Sequence, residues 1–352
     1  MPDFALKKAK SAKSTRLPVE ICLISPRQPA DNEVSQTAML CAMSTSPRLS
    51  PAPALHVSGA STSLGVIALG VTVCIWAGFF VSLRAGAQAH LPVAELALLR
   101  FGPAGLLFAP LLWQRRRRIA AVGASGLLVM LLGAGLPYFL IAGEGLRFAP
   151  VSDGSTLVPG TIPLAVALLL HLRGQRAPLA QWRALGVISL GVVLMLALSL
   201  RHGAPGAWRG ELIFLLCSLL WANYTVALRR SGLTPLEAAA LLSTGSLLGL
   251  LAWWPFSGAL QGLHALRALP ADALWMHALL QGVGVGLIST FSYGVAITRL
   301  GAQRAAVGGA LTPVLASVLA WVLLGEWPQP AALAGMVLIV CGVVWLNRLP
   351  GG

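Results

Sequence analysis

The chain of 352 residues is 57% hydrophobic and only 10% charged, with a mean hydropathy of +0.79. A soluble domain carries roughly 25% charged residues, so the charges are too few to cover one or two water-soluble domains of this length. The formal net charge of +14 is not a nucleic-acid footprint, because the Lys and Arg residues sit in short runs between long apolar stretches rather than on one basic face.

In chain order, residues 1–60 come first and are rich in Ser, Pro and Lys, with no sustained apolar run and no signal-peptide core. They predict a disordered cytoplasmic tail, or an over-extended start with Met43 as the initiator. A lipid-binding arm built on Lys7, Lys8, Lys10 and Lys13 is the alternative. Leu64–Leu83 then gives 20 residues without a charge, the length needed to cross roughly 30 Å of hydrocarbon. Further spans are predicted near 93–113, 119–142, 152–171, 183–200, 211–228, 236–256, 273–297, 305–324 and 329–347. Their Gly and Pro content is tolerated in a bilayer bundle, where neighbouring helices satisfy freed carbonyls. The runs are long and do not alternate, which argues against a β-barrel. The expected fold class is an all-α polytopic membrane protein with ten transmembrane helices.

The cysteines (Cys22, Cys41, Cys74, Cys217, Cys341) form no C-x-x-C pair, and the six histidines form no H-x-x-x-H pair. Neither a disulfide framework nor a metal site is expected, and no cofactor. Orientation follows from Lys and Arg. Twelve basic residues fall on one side: Arg115 to Arg118, Arg173, Arg176, Arg183, Arg229, Arg230, Arg299, Arg304 and Arg348. The opposite loops hold five: Arg84, Arg147, Arg201, Arg209 and Arg267. Both termini are therefore expected in the cytoplasm, with the chain in the inner (plasma) membrane.

The sequence also repeats itself. WAGFFVSLR at Trp76–Arg84 returns as WANYTVALR at Trp221–Arg229, with five of nine positions identical. Pro92, Leu98, Leu99 and Gly102 recur at the same mutual spacing as Pro235, Leu241, Leu242 and Gly245. Gly174 stands seventeen residues before Gly191-Val192-Val193, as Gly325 does before Gly342-Val343-Val344. Two repeats are thus expected, 63–200 and 210–348. Five crossings each is an odd number, so the second copy must be inverted. Inverted repeats are a mark of secondary transporters, in which two near-equivalent halves exchange conformations around a central site.

On these residues the sequence resembles the drug/metabolite transporter superfamily, in its EamA-type branch. The resemblance rests on Trp76 and Trp221, on Pro92, Arg100 and Phe101, on Thr161–Pro163 and Thr312–Pro313, and on Gly325-Glu326. It covers about 63–348. Two departures stand out: Gln175 occupies the position of Glu326, and Ser243 the position of Arg100. The small multidrug relatives carry a Glu in their first span for proton exchange, and no equivalent is present here. The resemblance implies export of small organic solutes, no enzymatic activity, and a cavity lined by spans one, three, four, six, eight and nine.

The residues point to the same region. Trp113, Trp182, Trp208, Trp275, Trp327 and Trp345 lie near span ends as interface anchors, whereas Trp76 and Trp221 lie mid-span and either pack or rim a cavity. The candidate substrate contacts are Trp76, Phe79, Tyr138, Thr161, Trp221, Tyr224, Gln281, Ser289, Tyr293 and Thr312. A charge-bearing role is considered for Arg100, against snorkelling or pairing with Glu95, and for Glu144, against an i,i+3 pair with Arg147. His277 is expected to be a satisfied polar residue. Such a lining suits amino acids, related metabolites or drugs better than inorganic ions. The partners expected are a small-molecule substrate and the bilayer, with no nucleic acid, in a monomer or a homodimer. A passive facilitator, a channel and a lipid enzyme are the competing readings; the enzyme would need a cluster of His, Asp or Glu that the sequence lacks.

Overall fold

The computed structural model describes residues 59–175, 178–257 and 263–349. The tail, with its four lysines, Cys22, Cys41 and Met43, and the linker residue Arg176 lie outside them. Among the described residues there are helices and no strands: α1 (Gly59–Gln88), α2 (Val93–Ala120), α3 (Ala124–Ala134), α4 (Leu136–Phe148), α5 (Val151–Leu172), α6 (Leu179–His202) and α7 (Ala207–Ser231). There follow α8 (Pro235–Ser257), α9 (His264–Ala268), α10 (Ala271–His277), a π-helical stretch Ala278–Ile288, α11 (Ser289–Leu300), α12 (Ala302–Gly309), α13 (Thr312–Leu324) and α14 (Pro330–Arg348).

Nine helical stretches among the described residues, some of them joining several of these elements, are long and apolar enough to cross a membrane. The tenth expected span falls on α14, whose apolar part Ala332–Arg348 is shorter than the rest. Leu106, Leu107, Val193 and Phe256 point outward, which would be a liability in water and is the natural surface toward lipid. The span-end tryptophans Trp113, Trp275 and Trp327 are likewise exposed.

Proline and glycine punctuate the bundle. Pro92, Pro150, Pro178 and Pro270 stand at the N-caps of α2, α5, α6 and α10, where a missing N–H costs nothing. Gly174 and Gly325, equivalent in the repeat, take φ of +82° and +68° just after α5 and α13. That left-handed turn, which ends a helix cheaply only at glycine, explains their shared distance to the next glycine-valine run.

The main helix contacts follow one rule. α2 lies along α8, α6 along α14, and α5 against α13; α1 packs on α11 and α13, and α7 on α3–α4 and α5. Exchanging each of the first five crossings with its counterpart in the second five leaves this set unchanged. At the α6–α14 crossing the exchange reaches single atoms. A Cβ on Gly191 would meet the Gly335 carbonyl at 3.0 Å, and one on Gly342 would meet the Ala184 carbonyl at 3.2 Å. Small residues let these backbones touch, which is how helices associate where lipid removes the hydrophobic driving force.

Other contacts break the rule, among them α14 on α5, which has no comparable α6–α13 counterpart among the described residues. α1 packs along α4 and α5, whereas α7 has no comparable contact with α11 or α13 among the described residues. The end of the bundle holding the C-termini of α1 and α4 is thus more tightly closed than the end holding the C-termini of α7 and α11.

Candidate functional site

The third span breaks where the site lies. α3 stops at Ala134, Gly135 adopts an extended ψ of −148°, and α4 restarts with Pro137 in its first turn, unable to donate back. The freed Leu136 N–H donates instead to Ser246 Oγ on α8, at 2.9 Å. Broken helices are tolerated at membrane depth where side chains re-satisfy the backbone and a cavity is lined. Both flanks of the break, Ala134 and Tyr138, line a cavity of about 160 Å³.

Aromatic rings shape that cavity. Tyr138 meets Trp221 with ring centroids 5.2 Å apart and an interplanar angle of 57°. Trp76 meets Tyr293 at 4.9 Å and 54°. The first pair joins the third and sixth spans, the second the eighth and first, so the two pairs bridge corresponding spans, although only Tyr138 of the two tyrosines lines the cavity. Phe79 packs edge-on against Phe80 and Phe139, and Phe101 against Phe139. Tilted and edge-to-face geometry is the favourable one for aromatic pairs. Arg100 is the one charged residue of the described lining; its Nη1 donates to the Gln281 carbonyl at 3.3 Å.

Of the candidates, Trp76, Phe79, Tyr138, Trp221, Thr312 and Arg100 meet in this cavity. Tyr293 and Tyr224 stand behind them, Tyr293 tilted against Trp76 and Tyr224 edge-on to Trp221. Thr161 is elsewhere: it is buried, with its hydroxyl 2.7 Å from the Leu157 carbonyl and 2.6 Å from Ser218 Oγ. Ser289 donates back to the Val285 carbonyl, and Gln281 donates to the Phe79 carbonyl at 3.2 Å. Glu144 forms the exposed i,i+3 pair with Arg147. Glu95 does not pair with Arg100; its Oε2 accepts the Leu266 N–H at 2.8 Å. His277 is buried with Nδ1 2.8 Å from Ser82 Oγ, a satisfied polar residue as expected. Among the described residues no group of three His, Cys, Asp or Glu is arranged for a metal ion.

Sequence reasoning missed a charged junction. Arg84 is no loop residue; it lies within α1, where its Nε donates to Glu326 Oε1 and its Nη1 to the Leu146 carbonyl. Glu326 also takes Gln88 Nε2 at 2.9 Å and the Val151 N–H at 3.4 Å. One carboxylate thus ties α1, the start of α5 and the α13–α14 turn at the closed end. Its presence in one repeat and Gln175 in the other was the available signal.

A multi-pass helical bundle around an aromatic cavity is the architecture of a membrane carrier. The EamA-like transporter family matches residues 63–197 and again 208–348, and the chain belongs to it. Among relatives, the probable terminal-alkyne amino-acid exporter of Streptantibioticus cattleyicolor is 28% identical over 298 residues, spanning 81% of this chain and 94% of that protein. The uncharacterized transporters YoaV and YdfC of Bacillus subtilis are 24% and 27% identical, covering 80% and 79% of this chain and 94% and 89% of theirs. A solved crystal structure, 21% identical, superposes over 81% of this chain and 97% of its own with a TM-score of 0.51, a likeness of fold alone.

Proposed function

We propose that the chain exports small amphipathic carboxylates, amino acids and compounds like them, by alternating access of the aromatic cavity between the two membrane faces. The observation that carries this reading is the pair of inter-repeat ring contacts Tyr138–Trp221 and Trp76–Tyr293, which bridge corresponding spans. Each repeat contributes one tryptophan and the other repeat its tyrosine, so rocking of one half against the other re-forms the same walls facing the opposite side. The Arg100 guanidinium supplies a fixed positive charge, a suitable counter-ion for a carboxylate. The rings accept an apolar side chain. The amino-acid exporter among the relatives fits this solute class. The proposed setting is the inner membrane, with both termini in the cytoplasm and the bundle's closed end outward.

Proteoliposome counterflow tests the proposal. Amino acids with apolar side chains should exchange, and their methyl esters should compete poorly; equal competition by ester and acid would remove Arg100 from the site. A passive facilitator is the second reading, favoured because no carboxylate lines the aromatic cavity. Flux unchanged by an imposed pH gradient selects that mode, and flux that follows the gradient rejects it.

A further inference from the structure

The break in the third span takes two residues out of the helical ladder. Pro137 has no N–H to donate, and the Leu136 N–H turns to Ser246 Oγ on α8, at 2.9 Å. Ser246 is only 2% exposed, so solvent does not replace its hydroxyl. The backbone itself comes close: a Cβ on Gly135 would meet Ser246 Oγ at 2.7 Å and the Leu131 carbonyl at 2.5 Å. Glycine at 135 is what lets the broken chain lie this near α8.

What the hydrogen bond fixes is the start of α4. The Phe139 N–H returns to the Gly135 carbonyl at 3.1 Å, so the first turn of α4 hangs from the same short segment. Tyr138 lies in that turn, lines the aromatic cavity and is tilted against Trp221 of the other repeat. Ser246 is not among the lining residues; it reaches the cavity through Leu136. The repeated spacing places Pro103 of α2 where α8 has Ser246. Pro103 packs beside Gly282 of the π-helical stretch, 3.4 Å from where a Cβ would stand, and proline has no side-chain acceptor. There the helix is not cut: residues 271–300 run on through the π-helical turns. Among the described residues the anchor thus belongs to one half of the molecule.

We propose, on the reading of the aromatic cavity as the transport site, that Ser246 is a positioning residue for transport: it holds the first turn of α4 so that the Tyr138 ring meets the solute, and thereby sets the cavity's affinity. A binding wall needs neighbours that lock it within about 0.5 Å of the productive geometry. A turn released from its side-chain anchor loses that lock. Thr244, two residues earlier, supplies the contrast. Its hydroxyl is also buried on α8, but it donates to the Gly105 carbonyl of α2 at 2.9 Å, away from the cavity lining.

The test compares Ser246→Ala with Thr244→Val in proteoliposomes, by L-leucine counterflow and by hydrogen exchange of the Leu136 amide read with fragmentation mass spectrometry. In Ser246→Ala the amide should exchange about tenfold faster and the KM rise about tenfold, with kcat per inserted protein held within about twofold. Thr244→Val should leave both exchange and KM within about twofold. In a Tyr138→Ala background Ser246→Ala should add no further rise in KM, because the residue it positions is gone. Unchanged exchange or KM in Ser246→Ala, an equal KM rise in Thr244→Val, or additivity with Tyr138→Ala would overturn the proposal. Should Ser246→Ala fail to fold, Ser246→Cys replaces it, since sulfur is only a weak acceptor; the same directions are expected, and unchanged Leu136 exchange refutes the anchor. An unaltered chain that moves no leucine rejects the solute class proposed above, and Leu136 exchange then decides for or against the anchor by itself.

Discussion

Residues that share a chemistry divide here by what they touch. Trp76 and Trp221 line the aromatic cavity and each packs against a tyrosine, a contact worth about 1 kcal/mol beyond area burial. Trp76→Ala and Trp221→Ala should each lower transport about tenfold while Phe at either position retains most of it, measured as flux per inserted protein. Thr161 has the opposite profile. Its hydroxyl is spent on Leu157 and Ser218 inside the α5–α7 contact, so Thr161→Val should cost about 1 kcal/mol of stability and leave the KM unchanged. A thermal melt in detergent beside a transport assay separates these outcomes. Arg100→Leu should abolish exchange of carboxylate solutes and spare their methyl esters. A guanidinium held at membrane depth costs about 2.5–3.5 kcal/mol on the insertion scale, which a merely structural carbonyl contact at 3.3 Å repays poorly.

Helices were read from the sequence more easily than their irregularities. Long apolar runs announce crossings because backbone groups have no other partner in hydrocarbon, and proline at a helix start marks the boundary. The break at Gly135 and the π-helical turns of Ala278–Ile288 were not legible, because apolar residues dominate around them and no period distinguishes one face from another. Of the cavity's phenylalanines Phe79 was a candidate, but Phe80, Phe101 and Phe139 were not placed in the site, because they look like any core residue until the fold gathers them. The charged junction stayed hidden for a different reason. Arg84 and Glu326 are distant in the chain and meet only through tertiary packing. The repeated glycines, by contrast, were visible and now have a cause. At the α6–α14 crossing Gly342→Leu would drive a side chain into Ile188 and the Ala184 carbonyl, and should destabilise by about 1–3 kcal/mol as an overpacked contact. A reduced yield of folded protein in size-exclusion chromatography checks this.

At the scale of the molecule, the main helix contacts survive exchange of the two halves, but the α1 contacts with α4 and α5 and the polar junctions do not. Reporter enzymes inserted after His90 and after Gly232 should be active on opposite faces of the membrane; activity on one face for both would contradict the proposed inversion. Arg84–Glu326 fastens one end of the bundle, while the other repeat has Gln175 at the matching position. Removing the fastening should redistribute conformations. In Arg84→Ala a cysteine placed at Ala134 should react with an impermeant maleimide from both faces, against one face in the unaltered chain. A loss of roughly 1–2 kcal/mol, about a tenfold change in population, is the expected size.

That single-sided fastening carries a kinetic consequence. A carrier whose empty form dwells mostly in one posture presents its competent site at unequal frequency to the two compartments, and apparent affinity falls in proportion to that frequency. Half-saturation measured from opposite faces should therefore be unequal even for a solute at electrochemical balance, with the net flux still vanishing there. Replacing Gln175 by Glu, the counterpart of Glu326 as Arg229 is of Arg84 in the repeated sequence, should level the two values, turning a lopsided shuttle into an even-handed one.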